Sequence, residues 1–506
     1  MFETQEHPAG NSKIPHGALT TSLADNVALI KSVFADVDPI QYRWLAGEVR
    51  GALPRMCFIY SDGVVSSNII DNHILKPLMQ IDTPHAKINL IDYLCNHVIQ
   101  INSIKKITDI EAMIASVSYG DSVLLVEGYA EAILLDTKGF VSRALAEPDG
   151  EKILSGPREG FSEILMQNLS LVRRKLRSSD LKMKYYNIGK RSNTALCVVY
   201  LDSLIKPEVL QELYRRLDSI EIDAVLDSNY ITELIRDNRW SIFHSTGYTE
   251  RPDVVAGKLL EGRIALFVDG TPVVITVPYL FIENFQSNED YYLNFYYTSF
   301  SRIIRIFGFL LAIATPAFYV AVVAYHQEIL PTPLIINIAT ESHNVPMPAS
   351  IEAILLLIMF DILRETGIRM PLGVGQALSV VGALVVGSAA VEADLVTAPM
   401  IIVAAVSGIT SLLIPKLNVA TLLIRIGLLL LASALGFYGV VLGLAVLFTH
   451  MLSLESFGIS QLTRDRTPTY QNMKDSFIRA PWWQMHTRPE ILSQNKTRMR
   501  KKGENI

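Results

Sequence analysis

The sequence predicts an α+β multidomain protein, in which a cytoplasmic two-part α/β domain precedes an α-helical transmembrane domain. Three observations predict this class. Half of the 506 residues are hydrophobic, yet residues 1–300 have an ordinary soluble composition and most of 303–452 is apolar. Apolar runs long enough to cross a bilayer fall in that second part. In the first part, short apolar strand patterns alternate with helical ones.

Composition excludes several classes of function. The formal net charge of −5 gives no indication of nucleic-acid binding. The three cysteines, Cys57, Cys95 and Cys197, are far apart and form no CxxC pair, which argues against a zinc site and against a disulfide framework. Residues 1–19 are polar and lack the apolar core of a signal peptide, so we expect the soluble part to stay in the cytoplasm. No cofactor is expected.

The soluble part divides into two α/β subdomains after a disordered segment, residues 1–21. The first, 22–150, begins with a helical pattern that Thr21 or Ser22 caps. This first helix runs over Leu23–Phe34. It is followed by a strand over Arg55–Tyr60, helices over His73–Met79 and Ile88–Gln100, and a hairpin-like pair of strands over Ser122–Glu127 and Ala130–Asp136. The second, 151–272, has a strand over Ala195–Tyr200, a helix over Pro207–Leu217 and a strand over Ile264–Val268.

A loop with the sequence GPREGF, residues 156–161, opens the second subdomain. A helix with one apolar face is predicted to start at Phe161. It ends in the basic cluster, which we define as Arg173, Arg174, Lys175 and Arg177. Such a cluster either complements the negative end of the helix dipole or docks on an acidic partner or on lipid headgroups.

The soluble part contains no convincing catalytic motif. Lys190 follows Gly189 without the upstream glycine of a phosphate-binding loop, and HExxH, GxSxG and GxGxxG do not occur. The acidic residues are scattered, as on a solvated surface. The sequence therefore predicts that the protein is not an enzyme.

The segment 273–302 is predicted to lie at the membrane surface or inside a packed core. Residues 273–285 are apolar, but they are too few to span and are broken by Pro278. A dense group of aromatic residues follows, which is typical of an interfacial belt. Arg302 and Arg305 then mark the cytoplasmic entrance of the first span.

The transmembrane domain, 303–452, contains five apolar runs and is followed by a basic tail, 453–506. A loop over 326–348 without Lys or Arg is expected outside, and the tail inside. The last run is interrupted by Arg425 and softened by Gly436 and Gly439. It is either a hairpin of two spans or one short interfacial helix and one span. Both ends inside require an even number of crossings, and six is favoured over four. The runs are Ile303–Tyr325, Ala349–Leu363, Leu372–Ala390, Val396–Ile414 and Asn418–Leu452.

The uncharged run Leu372–Ala390 carries a stripe of small residues at helical spacing. Such a stripe either lets helices pack closely in lipid or leaves room for water and ions in a pore. In the pore interpretation, a ring of valines closes the path by dewetting. The predicted pore-lining residues are Gly375, Ser379, Gly382, Val386 and Gly387.

Three acidic residues lie in or beside the membrane runs. A charge near the bilayer centre costs roughly 2.5–3.5 kcal/mol on insertion scales, so each needs an explanation. Asp361 is placed at the membrane boundary near Arg364 and Arg369. Glu352 faces either a subunit interface or a water-filled path, and Glu392 lies at the outer mouth, where it would concentrate cations.

Four stretches resemble the A-subunit family of bacterial spore germinant receptors, the GerA family. The resemblance runs from about Ala24 to about Arg466. A close paralogue group, encoded in the SpoVA operon with the dipicolinate-release machinery, has the same motifs. The stretches are GPREGFSEILMQNLSLVRRKLRS, EGRIALFVDGTPVVITVPYLFIENFQSNEDYY, ILRETGIRMP and GQALSVVGALVVGSAAVEADLVTAPMIIVAAVSGITSLLIP.

The resemblance implies a multi-pass protein of the spore inner membrane with both termini in the cytoplasm. It implies a complex with a transporter-like B subunit and a lipoprotein C subunit, and a ring of copies of this chain that acts as a nutrient-gated channel for monovalent cations. Besides these proteins the expected partner is membrane lipid. The alternative is a secondary solute transporter, for which an internal repeat with paired broken helices is expected. A membrane-anchored enzyme is the third class.

Overall fold

The computed structural model describes residues 17–45, 54–80, 89–139, 147–148, 150–153, 155–369, 387–462, 475–495 and 497–498. The chain separates into two compact units. The first contains Met1–Asp237, Thr246–Pro278 and Met485–Ile506, and the second contains Asn238–Ser245 and Tyr279–Gln484.

The first unit begins with a five-stranded antiparallel sheet of order β1-β2-β4-β5-β3. Apolar side chains of its central strands pack on helices on both faces, in two separate clusters. The predicted first helix and hairpin are confirmed, and Ser22 Oγ caps that helix by accepting a hydrogen bond from Asp25 N at 3.4 Å. The elements are α1 (Leu23–Val33), β1 (Ile40–Leu45), β2 (Met56–Ser61), short helical segments Ser67–Ile69, Ile70–Leu75, Lys76–Met79, Leu90–Tyr93 and Leu94–Val98, β3 (Ile104–Ile107), α2 (Ile110–Tyr119), β4 (Ser122–Val126) and β5 (Ala132–Leu135).

A second antiparallel sheet of five strands follows, with the order β6-β7-β9-β10-β8. The helix after GPREGF begins at Leu165 rather than at the predicted Phe161, because residues 161–164 form the loop that leads into it. The segment after Pro272 forms the buried strand β10, so this part of 273–302 lies in a packed core. The elements are α3 (Leu165–Lys175), β6 (Leu181–Ile188), β7 (Thr194–Leu201), α4 (Pro207–Asp218), α5 (Ser228–Ile235), β8 (Gly247–Thr249), α6 (Pro252–Leu260), β9 (Ile264–Val268) and β10 (Val274–Val277).

The two sheets are copies of one fold. Each half runs helix, two strands, helices, strand, helix, two strands, and the strand orders become identical when β6–β10 are renumbered from one. Gly120 and Gly262 have positive φ after the last helix of each half, and Gly128 and Gly270 have positive φ in the final hairpin. Both pairs are 142 positions apart in the sequence. The first unit is therefore an internal duplication, which the sequence reading did not detect.

One hydrogen-bonded motif recurs at the same offset and fixes the start of each half. Asn26 Oδ1 accepts from Thr20 N at 3.0 Å, and Asn26 Nδ2 donates to Thr20 O at 2.6 Å. Asn168 makes the same two bonds with Ser162, at 2.8 and 2.6 Å. Both asparagines are buried, so each half uses one amide to satisfy backbone groups of the segment before its first helix.

The end of the tail completes the second half. In the first half, Val64 O accepts a hydrogen bond from Gly139 N at 3.0 Å, just after the last strand. In the second half, the chain continues from β10 into the second unit. The equivalent hydrogen bond comes from the tail instead, because Gln494 N donates to Leu204 O at 3.1 Å. Ser493 Oγ donates to the same oxygen at 3.1 Å. A segment from beyond the membrane unit thus fills a position that local sequence fills in the first half.

The second unit is helical, and two of its helices are long and apolar enough to cross a membrane: Phe295–Tyr325 and Pro415–Leu452. A bent pair, Thr332–Asn344 with Ala349–Gly367, would make a third span if it is counted as one. The predicted loop over 326–348 is wrong in its middle, because Thr332–Asn344 is helical with a proline in its first turn. The helices are α7 (Phe295–Tyr325), α8 (Thr332–Asn344), α9 (Ala349–Arg369), α10 (Ala398–Ser411) and α11 (Asn418–Leu452), and β11 (Glu455–Ser456) pairs with β12 (Ile459–Ser460).

Helix α11 is a hairpin, which is one of the two alternatives that the sequence left open. Gly436 interrupts it with φ 58° and ψ −137°. A Cβ added at Gly443 would lie 2.5 Å from Leu428 Cδ2, although fifteen residues of straight helix would separate the two by about 22 Å. Tyr325, at the end of α7, covers the turn, and its hydroxyl donates to Ser433 O at 2.6 Å. The two arms therefore lie side by side along α7.

Candidate functional site

Glu352, near the start of α9, is buried and caps another helix. Its Oε1 accepts hydrogen bonds from Thr397 Oγ1, at 2.8 Å, and from Thr397 N. Thr397 directly precedes α10, so the carboxylate lies at the positive end of that helix dipole. Such a place favours a negative charge without a cation. The described geometry gives Glu352 a partner inside its own chain.

Asp361, nine residues further along α9, forms a partly buried ion pair with Arg425 of α11. Arg364 also approaches the carboxylate at 3.2 Å, as the sequence placement suggested, whereas Arg369 pairs with Glu365 at 2.7 Å. Arg425 is almost fully buried. Sequence reasoning treated it only as an interruption of an apolar run and missed the pair. The available signal was a basic and an acidic residue that both lie in apolar helices.

The same arginine approaches a polar contact between two further helices. Arg425 Nη1 lies 3.5 Å from Ser407 Oγ, and that hydroxyl donates to Ala312 O at 2.7 Å. The charged pair and this hydroxyl connect α7, α9, α10 and α11 at one level. We call Asp361, Arg364, Ser407 and Arg425 the central cluster.

The predicted pore stripe falls almost entirely outside the described residues. Gly375, Ser379, Gly382 and Val386 are not described. Gly387 lies in a helical segment, 387–392, and a Cβ added to it would meet no described atom within 4 Å. Glu392 ends that segment and is exposed, five residues before Thr397. The pore assignment of these residues stays a prediction.

At the base of α7, two arginines that the sequence placed at the membrane entrance are bound to acids. Arg302 has a fully buried side chain, which donates to Asp290 Oδ2 at 2.8 Å and to Asp475 Oδ1 at 2.9 Å. Arg305 donates to Asp290 Oδ1 at 3.0 Å. Asp475 belongs to the segment after the membrane helices, so the pairs tie both ends of the second unit together. Sequence reasoning did not identify this partner.

The basic cluster of α3 makes its contacts within the first unit. Arg173 is buried and reaches Ser61 Oγ in the other half of the duplication at 3.2 Å, and burial lowers the pKa of this guanidinium to about 10. Arg174 and Lys175 pair with Glu159 of the GPREGF loop, and Arg177 lies 3.7 Å from the centre of the Tyr119 ring. The cluster joins the two halves and fixes the loop, so docking on an acidic partner is not needed to explain it.

The described residues contain no group of three or more His, Cys, Asp or Glu side chains that could hold a metal ion. Cys57 and Cys197 lie inside the two sheets, and burial raises the pKa of Cys57 to about 11. A thiol of this kind is unreactive at neutral pH.

Comparison with known proteins gives consistent matches over most of the chain. A family model described as the Bacillus/Clostridium GerA spore germination protein matches residues 28–491. Spore germination protein KA of Bacillus subtilis (strain 168) is 37% identical over 479 residues, which cover 94% of this chain and 88% of the relative. Spore germination protein GerLA of Bacillus cereus is 34% identical over 455 residues, which cover 89% and 92%.

Two further matches cover one relative without an assigned role and one crystal structure. The membrane protein YfkQ of Bacillus subtilis (strain 168), described as uncharacterized, is 40% identical over 438 residues, covering 86% of this chain and 85% of the relative. The crystal structure of the N-terminal domain of the A subunit of the Bacillus megaterium spore germinant receptor GerK3 is 29% identical. It covers 53% of this chain and 98% of the solved chain, with a TM-score of 0.42.

Proposed function

Because the chain belongs to the GerA family and has a role in spore germination, we propose that it is the A subunit of a nutrient germinant receptor. In this proposal, copies of the chain form a ring in the spore inner membrane. The ring is a nutrient-gated channel for monovalent cations. Its partners are a transporter-like B subunit, which holds the nutrient, and a lipoprotein C subunit.

One observation supports a path through an uncharged part of the chain. Within the described membrane helices, Glu352 is used as a helix cap and Asp361 is used in the pair with Arg425. Both carboxylates thus have partners within the chain. The segment Leu372–Ala390 has no charge and has the small-residue stripe, so we assign the pore-lining role to Gly375, Ser379, Gly382, Val386 and Gly387 on the strength of its sequence.

The proposal includes six crossings with both termini in the cytoplasm. The hairpin in α11 supports it, because each arm is about 24–27 Å long at 1.5 Å per residue and approaches the roughly 30 Å of a hydrocarbon core. Helices α7 and α9 supply two crossings, and α10 supplies a short one. The sixth is the segment Leu372–Ala390.

A secondary solute transporter is the second candidate, and the interrupted helices favour it. Gly436 breaks α11, and α8 and α9 meet at an angle of 78°. Transporters use such breaks to expose helix ends to a solute at the middle of the membrane. Glu352 of α9 is one example, because its buried carboxylate lies at the N-terminal end of α10.

Flux through the purified full chain in liposomes separates the two candidates. A channel formed by a Val386→Ala variant passes K⁺ at a rate that rises linearly with concentration. A transporter instead gives saturable uptake of one amino acid or sugar, without an ion leak. Spores that lack the chain should also fail to respond to at least one nutrient, and a normal response to every nutrient tested would contradict the receptor assignment.

A further inference from the structure

Exposed apolar side chains form a stripe on the base of α7. They recur at helical spacing, so they share one face. The helix is apolar and long enough to cross a membrane, and its upper turns continue the face with exposed Leu310 and Phe318. The lower end of the stripe therefore lies where a membrane helix meets the headgroups. Its members are Tyr296, Tyr297, Phe300, Ile303 and Phe307.

A second exposed apolar group comes from the end of the second unit and lies beside this stripe. We call it the tail belt: Phe477, Ile478, Trp482 and Trp483, which are 51%, 63%, 44% and 65% exposed. The Trp483 ring meets the Phe295 ring edge-on, with centroids 5.6 Å apart. The two groups thus present aromatic rings at the same end of α7.

Polar contacts hold the tail belt in this place. Asp475 accepts hydrogen bonds from Arg302 Nη1 at 2.9 Å and from the Tyr291 hydroxyl at 2.7 Å. Arg479 N donates to Ser299 Oγ, on α7, at 3.2 Å. Arg302 is fully buried, so separation of this segment from α7 would remove one of the two carboxylates that pair with a buried cation.

We propose that the tail belt is a membrane anchor, which lies in the headgroup interface of the bilayer beside the base of α7. Tryptophan suits this place because it has an apolar body and a polar N–H. The occupant of the surface is lipid rather than a protein, since the belt is continuous with the face of a membrane-spanning helix. This role is independent of whether the chain conducts ions.

Tryptophan fluorescence of the full chain in vesicles tests the anchor. The chain has four tryptophans, and Trp44→Phe with Trp240→Phe leaves emission from Trp482 and Trp483 alone. The protein is reconstituted into phosphatidylcholine and phosphatidylglycerol vesicles that contain brominated lipids. We expect a loss of emission that is greater with bromine near the glycerol than with bromine near the methyl ends of the chains.

The matched control keeps Trp44, an exposed residue of β1, and changes the other three tryptophans to Phe. It should retain its emission with either lipid. Emission from Trp482 and Trp483 that resists both lipids but is quenched by aqueous iodide would overturn the proposal. Resistance to lipid and iodide alike, together with crosslinking between copies through a cysteine at position 483, would assign the belt to a second copy and also overturn it.

Discussion

The carboxylate of Asp361 is bound by the guanidinium of Arg425, 64 residues further along the chain, inside the helical unit. Neither charge has another described partner of equal closeness, although Arg364 stands 3.2 Å from the second carboxylate oxygen. Removal of one member of a buried pair leaves the other without compensation, which costs about 3–5 kcal/mol. The pair therefore contributes to holding α9 against α11.

Changing Arg425 to Met should lower the melting temperature of the detergent-solubilised chain, because the partly buried Asp361 then has only Arg364 nearby. The double variant Asp361→Leu with Arg425→Met should recover much of that loss, since two apolar side chains replace two charges. The exposed pair Glu365 and Arg369 is the matched control, and Arg369→Met should cost about 0–1 kcal/mol. A double variant that is as unstable as the single one would contradict the structural role.

A second prediction concerns the cap on α10. Glu352→Gln keeps an oxygen that accepts from Thr397 and should assemble normally, whereas Glu352→Leu leaves the Thr397 N–H and hydroxyl unsatisfied and should cost about 1–3 kcal/mol. Thermal melts of the purified chain measure the difference. If Glu352 instead serves a cation path, Gln and Leu should both reduce ion release from spores while melting unchanged.

How far the sequence could predict this fold differs between the units for physical reasons. Strands buried on both sides, such as Ile264–Val268, are continuous apolar runs and were found to the residue. The edge strand Leu181–Ile188 was missed, because apolar residues and lysine alternate only over its first four positions, and Tyr185, Tyr186 and Asn187 break the pattern. The duplication was also missed, since its halves share positions of glycine and asparagine rather than a recognisable motif.

In the second unit, prediction from the sequence is limited because the residues that pair are far apart along the chain. Periodicity identified the apolar runs and the small-residue stripe, but it assigns no neighbour to a helix. The pairing of Asp361 with Arg425, and that of Arg302 with Asp475, depend on which helices pack together. Gly436 was recognised only as a position that weakens the last apolar run. In the structure it has a positive φ at the turn of the hairpin, and Tyr325 packs over it.

The duplication predicts equal effects at equivalent positions. Asn26→Ala and Asn168→Ala each remove two hydrogen bonds between a buried amide and the backbone of the segment before the helix, so each should destabilise its own half by about 1–3 kcal/mol. Hydrogen exchange of the full chain should show faster exchange at Thr20 and Thr21 in the first variant and at Ser162 and Glu163 in the second. Exchange that rises in only one half would argue that the motif has the same geometry but not the same role.

Completion of the second half by the tail predicts a local effect of truncation. A chain that stops after Gln484 loses the hydrogen bonds that Ser493 and Gln494 donate to Leu204 O. It also loses the ion pair between Arg498 and Glu261. Exchange should rise around Leu204 and Gly262, while the equivalent Val64 and Gly120, which local sequence satisfies, stay protected. A truncation at residue 495 keeps the two contacts with Leu204 and serves as the control. Equal protection in both truncated chains would show that the tail is not needed there.

The last prediction concerns Val386, which lies outside the described residues and is assigned to the path by sequence. If copies of the segment Leu372–Ala390 surround an axis, each presents the same face, and a ring of valines closes the path by keeping water out. Val386→Ala widens that ring and should release ions from spores without a nutrient. Ile402→Ala, which shortens an exposed side chain on the outer face of α10, should not. Spontaneous K⁺ release is measured beside the amount of assembled protein. If the stripe only packs helices, Gly382→Leu should block assembly, while Val386→Ala should be nearly silent. Normal assembly without a leak in Val386→Ala would count against this residue. The same result at Val380, Val381 and Val385 would remove the segment from the ion path and leave helix packing as the reason for its small residues.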